Sequence, residues 1–378
     1  MKKCMNSNQD YIIKVLKELV SIKSVTGSEK EIAFFIEKEL QTIGASNIRL
    51  QQVTDDTYNV IGEIKGGLPG PTILFTGHMD TVPAEEKWEG KDPFEPFIEG
   101  DCLYGRGALD MKSGIASVLG MAKRAYENRE KLKGKIKLAF VTDEEAYSKG
   151  INKLIENGLE ADFVIAAEPE NNPMIIGAVG KMLIKVTAHG VASHGSQPEK
   201  GINAVEDMAR FIALLNEIPI LTHKEIPSQP YVVLKIDGGF KDYSIVVPDC
   251  CTVLINKHTV PDETEEYVIQ EMKNLVKKLD VKSAFSFEIM EPYYPAFDIG
   301  DELPQIAKLK KIYKEVVGNS LETGYCTGVC DNNRIVPITG IPAICLGAKG
   351  NGLHAVNEWV SILSVLQMSD IYYKFMFD

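Results

Sequence analysis

The sequence predicts an α/β protein built on a mostly parallel sheet, with a small α+β unit inserted into it. Short apolar runs flanked by turn residues, at 72–76, 136–141, 162–167 and 342–346, read as buried strands. Helix-like stretches at 113–126 and 151–157 separate the first three of these runs, and the resulting βαβ alternation calls for parallel pairing. From about Lys181 the pattern changes, because Met182, Ile184, Val186 and Ala188 alternate with polar partners, as in a sheet with one wet face.

Taken in order, Ile12, Leu16, Leu19 and Val20 recur at helical spacing and predict a first surface helix over 8–20. Ser28 with Glu31 predicts a capping box that opens a second helix ahead of Ile32, Phe35, Ile36 and Leu40. After the strand that starts near Lys181 come a helix (Val205, Met208, Ile212, Leu215) and strands near 231–236 and 252–260. A second helix (Val268, Met272, Leu275, Leu279) and a strand at 284–290 follow. This βαββαβ order is a complete small unit, expected at 180–293. Residues 1–179 and 294–378 then form the surrounding domain, which the helices at 302–317 and 362–376 and the strand at 342–346 complete. A length of 378 residues suits two cores at roughly 100–200 residues each.

Lys and Arg number 41 against 53 Asp and Glu, a net charge of −12, with 44% apolar and 25% charged residues. The balance is globular and excludes disorder or collagen. A pI near 5.2 argues against nucleic acid or an anionic membrane as partner. No run approaches the roughly 18 apolar residues of a membrane helix, and MKKCMNSNQDYIIKV turns polar before a signal-peptide core can form, so a cytoplasmic protein is expected. Seven cysteines, an odd number with Cys250 and Cys251 adjacent, suggest reduced thiols.

Acids and histidines follow the strands. ILFTG leads to His78-Met79-Asp80, KLAFV to Thr142-Asp143-Glu144-Glu145, FVIAA to Glu168, and AICLG through a Gly-rich loop to His354. Ligands of open α/β sheets bind at the carboxyl ends of the strands, where such residues converge. Asp110, just before a predicted helix, joins them. Two histidines with three carboxylates are donors for a cation such as zinc, and five suit two ions sharing one bridging ligand. Asp80, two residues beyond His78 on an extended strand, can take the imidazole N–H that faces away from the metal. Glu144 and Glu145, as neighbours in an extended segment, point to opposite sides, one to bind metal and one to move protons.

GHMDTVP (77–83), YGRGALDMKSG (104–114), TDEEA (142–146), AEPE (167–170), SHGSQPEKGINAV (193–205) and LHAVNEWV (353–360) together resemble the M20 family of metallopeptidases and deacylases, over nearly the whole chain. That group contains acetylornithine deacetylase, succinyl-diaminopimelate desuccinylase, aminoacylase and glutamate carboxypeptidase. The resemblance implies a zinc-hydrolase catalytic domain in which His78 and Glu168 bind one metal, Glu145 and His354 the other, and Asp110 bridges them. It also implies that Asp80 orients His78, that Glu144 is the general acid/base, and that the peptide after Asp110 is cis. The inserted unit resembles the family's lid, which carries a homodimer interface, and His194 resembles the lid histidine that donates to the oxyanion.

Two departures from the family bear on substrate. Ile245, with Ser244 beside it, stands where relatives have an asparagine facing substrate, and Asn256-Lys257-His258 stands where they show Asp followed by arginines. Lys257 or His258 can supply a positive donor there, without the two-pronged grip of Arg. Thr327-Gly328-Val329-Cys330-Asp331 resembles the stretch lining the family's pocket, with Cys326 and Cys330 read as packing. Arg106 is expected to anchor the loop carrying Asp110.

The expected activity is hydrolysis of the amide bond of a small N-acyl amino acid or short peptide, by water activated with two divalent ions, Zn²⁺ ahead of Co²⁺ or Mn²⁺. A carboxypeptidase or a di- or tripeptidase of the same family is the alternative. A non-catalytic binder of amino-acid derivatives is a third reading.

Overall fold

The computed structural model describes residues 7–84, 88, 91–240 and 245–378. Ser244 and the first six residues of the N-terminal stretch lie outside the described residues. The chain divides into two compact units. One runs up to Ile176 and resumes at Ile299–Gly324 and Cys330–Asp378, and the other comprises Gly177–Asp298 with Tyr325–Val329.

The first unit is ordered around strands Leu68–His78, Lys133–Val141, Phe163–Ala166 and Ala343–Cys345. Leu68–His78 runs parallel to both Lys133–Val141 and Phe163–Ala166, and Ala343–Cys345 runs parallel to Phe163–Ala166. His78 lies opposite Val141, Thr76 opposite Ala166, and Ala166 opposite Cys345, so four carboxyl ends share one edge. Tyr58–Lys65 and Ser46–Gln52 extend the sheet antiparallel.

Strand alternation explains why both faces are covered. Leu74, Ala139, Val164 and Ala343 point to one side and pack with Ile151, Leu154 and Ile335, from helices Lys149–Glu156 and Asn332–Thr339. Phe75 and Phe163 meet Tyr372 and Phe375 of helix Ile362–Phe377, with ring centroids 5.3 and 6.2 Å apart. Helix Ser113–Glu127 is buried along most of its length, and a Cβ on Gly114 would stand 2.0 Å from the Ala167 carbonyl. Only glycine allows that approach, which brings the start of the helix against the segment leading to Glu168.

Helices Ser7–Ser21 and Lys30–Ile43 form as the periodicity predicts, but the capping box does not. The second helix starts after Glu29, whose carboxylate turns inward to accept from the Asp143 N–H at 3.2 Å.

In the second unit, strands Val232–Gly238, Cys250–Thr259, Gly180–His189 and Ala284–Tyr294 form an antiparallel sheet in that spatial order. Met182, Ile184, Val186 and Ala188 line one face with Cys251, Val253 and Ile255, packed on Met208, Phe211, Val268 and Met272. Those four come from helices Ala204–Ala213 and Glu265–Lys278. The Asn203 side chain caps the first helix by accepting from the Val205 and Glu206 N–H groups. Val232, Leu234 and Ile236 are exposed on the edge strand.

Candidate metal centre

At the carboxyl edge of the first unit's sheet, one carboxylate stands between two imidazoles. Asp110 Oδ1 is 3.0 Å from His78 Nε2, and Asp110 Oδ2 is 3.1 Å from His354 Nε2. Glu145 approaches His354 Nε2 at 3.1 Å, and Glu168 lies 3.7 Å from His78 Nε2. Donor atoms of His78, Asp110 and Glu145 all lie within 4.8 Å of one another. His78 ends its strand and is buried, while His354 stands in a loop at a φ of 58° with its side chain 48% exposed. The Asp110–Met111 peptide is cis.

The electrostatics suit cations. Burial works against the Asp110 carboxylate, but hydrogen bonds with His354 and His78 outweigh it and hold its pKa well below the usual range. Hydrogen bonds with Asp110 and Glu145 hold His354 up at about 10. Burial alone would lower His78, yet Glu168, Asp110 and Asp80 raise it well above its ordinary value. Glu144 and Glu168 are raised by burial and by the acids around them. A buried cluster that draws protons onto its histidines has a field that a divalent cation would satisfy, and its imidazole and carboxylate donors fit zinc.

Asp80 is placed differently from the expectation. His78 Nδ1 donates to the Asp80 main-chain carbonyl at 3.0 Å, with the carboxylate 3.6 Å away. That carboxylate accepts instead from the Glu144 and Glu145 N–H groups, both at 3.1 Å, and from Thr26 Oγ1 at 2.9 Å. The reason is that 143–148 turns rather than extends. Asp143 takes a φ of 65°, and its carbonyl accepts from the Tyr147 and Ser148 N–H groups.

Lys257 requires a second correction. It shares the inward face of strand Cys250–Thr259 with Cys251, Val253 and Ile255, and is fully buried. Its ammonium donates to the Gln229 carbonyl at 2.8 Å and pairs with Glu263 at 3.1 Å, so it is not a free donor for substrate. His258 points the other way and is partly exposed, and burial lowers its pKa. His194 is exposed, and its Nδ1 accepts from the Ser196 N–H at 3.2 Å, leaving Nε2 to carry the proton outward.

Two acids join the site without a role read from sequence. Glu358 is buried and accepts from Arg106 Nη1 (2.8 Å) and from the N–H groups of Gly107 (3.0 Å), Leu109 (2.8 Å) and Asp110 (3.0 Å). Arg106 Nη2 also donates to the His354 carbonyl at 3.3 Å, so the pair ties together the loops bearing Asp110 and His354. Asp331, buried at the start of helix Asn332–Thr339, is pushed up to about 7 by burial and acts electrostatically on Glu144 and Glu168. An acid next to Trp359 reads as surface in a sequence; the available signal was its place four residues after His354.

Two histidines and converging acids at the carboxyl edge of a parallel sheet define a metal-dependent hydrolase. Residues 74–378 match the profile of peptidase family M20/M25/M40, and the chain belongs to that family. It is an amide-bond hydrolase. It is 26% identical over 378 residues, 95% of each chain, to succinyl-diaminopimelate desuccinylase of Ehrlichia ruminantium (strain Gardel). The fold is similar to that of aminopeptidase PepT from Bacillus cereus ATCC 10987, with a TM-score of 0.78, 21% identity, and 97% of this chain and 98% of that one covered. It also resembles the YXEP protein of Bacillus subtilis, a dinuclear metal-binding peptidase from the M20 family, with a TM-score of 0.72, 17% identity and 98% of each chain covered. Among the described residues no helix is long and apolar enough to cross a membrane.

Proposed function

We propose that this chain removes the acyl group from a small N-acylated amino acid, with two zinc ions held between its histidines and acids. His78 and Glu168 would hold one ion, Glu145 and His354 the other, and Asp110 would be shared. The observation that carries this reading is Asp110, whose two oxygens each face a different imidazole at hydrogen-bond distance. Zinc is favoured over Co²⁺ and Mn²⁺ by the affinity order for nitrogen and oxygen donors. The bound ions would polarise the scissile carbonyl and acidify the attacking water.

The chain's own groups supply the proton transfers. Glu144 takes the proton of the attacking water and returns it to the leaving nitrogen, and its raised pKa suits a group that must hold a proton between those events. Asp80 fixes the backbone at Glu144 and Glu145, and through its carbonyl orients His78. The second unit acts as the lid. Its His194 donates from Nε2 to the tetrahedral oxyanion, a role supported by the tautomer that Ser196 selects. The exposed apolar edge at Val232, Leu234 and Ile236 supports a homodimer through this unit. None of the six described cysteines forms a disulfide, which supports a cytoplasmic location.

An acyl-amino acid is favoured because the relatives matched over most of both chains are desuccinylases. With Lys257 buried, His258 remains as the donor of the second unit proposed to meet the substrate carboxylate, through the N–H of an imidazole that burial keeps from charging. The test is metal-stripped protein reloaded with Zn²⁺, Co²⁺ or Mn²⁺ and assayed on N-succinyl and N-acetyl amino acids, dipeptides and tripeptides. Metal-dependent release of the acyl group is expected, with Glu144→Ala retaining both ions and losing roughly 10²–10⁴-fold in rate. Cleavage of peptides alone would overturn the deacylase reading in favour of an exopeptidase.

A further inference from the structure

Beside the acid cluster stand two thiols for which the hydrolysis has no use. Cys345 ends strand Ala343–Cys345 and is buried, and Cys330, partly exposed, immediately precedes Asp331 and helix Asn332–Thr339. Their sulfurs are 3.7 Å apart, and Asn332 Nδ2 donates to Cys345 Sγ at 3.2 Å. Both belong to the first unit. A disulfide needs about 2.0 Å, so the pair lies in contact but unbonded. The strand is fixed by parallel pairing with Phe163–Ala166, whereas Cys330 lies outside any regular element, its N–H donating to Asn333 Oδ1 at 2.9 Å.

We infer that Cys330 and Cys345 form a modification site, a thiol pair that a peroxide closes into an internal disulfide, slowing hydrolysis at the adjoining centre. The Cys330 thiolate attacks one oxygen of a hydroperoxide. The O–O bond breaks, giving a sulfenic acid at Cys330 and an alcohol that keeps the thiol's proton. Cys345 sulfur then attacks the sulfenic sulfur. The S–O bond breaks, and hydroxide leaves with the Cys345 proton as water. In sum two thiols and one hydroperoxide give a disulfide, an alcohol and water, with two electrons passing to the peroxide.

Position decides the order and the effect. Cys330 is the accessible thiol and reacts first. Cys345, buried at the end of its strand and in contact with Cys330, follows as the resolving thiol. Closing the bond draws Cys330 toward the strand and with it the adjoining Asp331, which lies buried by the site. Cys345 also pairs with Ala166, two residues before Glu168, so the link meets the segment that leads to that acid.

The experiment exposes the metal-loaded full chain to hydrogen peroxide, blocks remaining thiols with N-ethylmaleimide, and maps the digest by mass spectrometry. A peptide joining Cys330 to Cys345 is expected, with hydrolysis at least tenfold slower and restored by dithiothreitol. Cys330→Ser should resist peroxide, its rate after treatment matching its own rate before it. Cys345→Ala should leave Cys330 oxidised but unlinked. Absence of the linked peptide, or its presence with an unchanged rate, overturns the inference. The rate rests on the proposed deacylase reading, whereas the linked peptide does not. A chain that hydrolyses nothing tested would therefore refute that reading while the mapping still decides whether the thiols pair.

Discussion

Each unit contains a buried ion pair, and the two are put to different use. Arg106 and Glu358 meet at 2.8 Å, Lys257 and Glu263 at 3.1 Å, and all four side chains are shielded from water. Glu358 spends its remaining acceptor capacity on three backbone N–H groups between Gly107 and Asp110, while Arg106 reaches the carbonyl of His354. Glu263 accepts from the Val260 and Leu221 N–H groups, and Lys257 lies over the Tyr231 ring, so this pair fastens loops to the unit's own core. A buried ion pair contributes little net stability by itself, because desolvation offsets attraction. What it does for the protein follows from the backbone it also holds.

Three substitutions sharpen that contrast. Glu358→Gln sets an amide N–H against backbone donors, so hydrolysis should fall roughly 10- to 100-fold, with both metal equivalents bound more weakly in a calorimetric titration, since Asp110 would be shared by the two ions. Unchanged binding of both equivalents would show that the pair supports the fold rather than the centre. Arg106→Lys keeps the charge but loses the fork that reaches His354, and a rate loss of about tenfold or less is expected from the same assay. Lys257→Ala leaves the Glu263 carboxylate buried and alone. It should lower the unfolding free energy in urea by about 3–5 kcal/mol while kcat and KM stay within about twofold. A large rise in KM would restore Lys257 as a substrate contact.

How far the sequence could be read tracks how local each cause is. The parallel strands were legible because apolar runs such as ILF and VIA are long enough to be buried on both faces, and the residues just past them had to lie at the shared edge. His78, Glu145, Glu168 and His354 were expected at that edge for this reason, and Asp110 by its place before a helix; the structure brings the five side chains together. The turn at 143–148 was missed because the expectation treated 142–145 as extended, whereas the left-handed Asp143 turns two N–H groups onto the Asp80 carboxylate. Lys257 was misjudged although the signal was present, since Cys251, Val253 and Ile255 precede it at a period of two on the buried face. Glu358 escaped because its partners are main-chain groups some 250 residues earlier, as the separations of 248 to 252 record, and backbone donors leave no trace in side-chain identity.

The position of the Asp80 carboxylate bears on how mutant kinetics in this enzyme are to be apportioned. One oxygen accepts from the N–H of Glu144 and the other from that of Glu145, so a single anchor serves the proposed base and a proposed ligand together. Free energies of substitution at Asp80 and Glu144 should therefore fail to add. In a double-mutant cycle, Asp80→Ala combined with Glu144→Ala should be barely slower than Glu144→Ala alone. The loss seen in the Asp80 variant would then measure displacement of its two neighbours and not a separate contribution of its own.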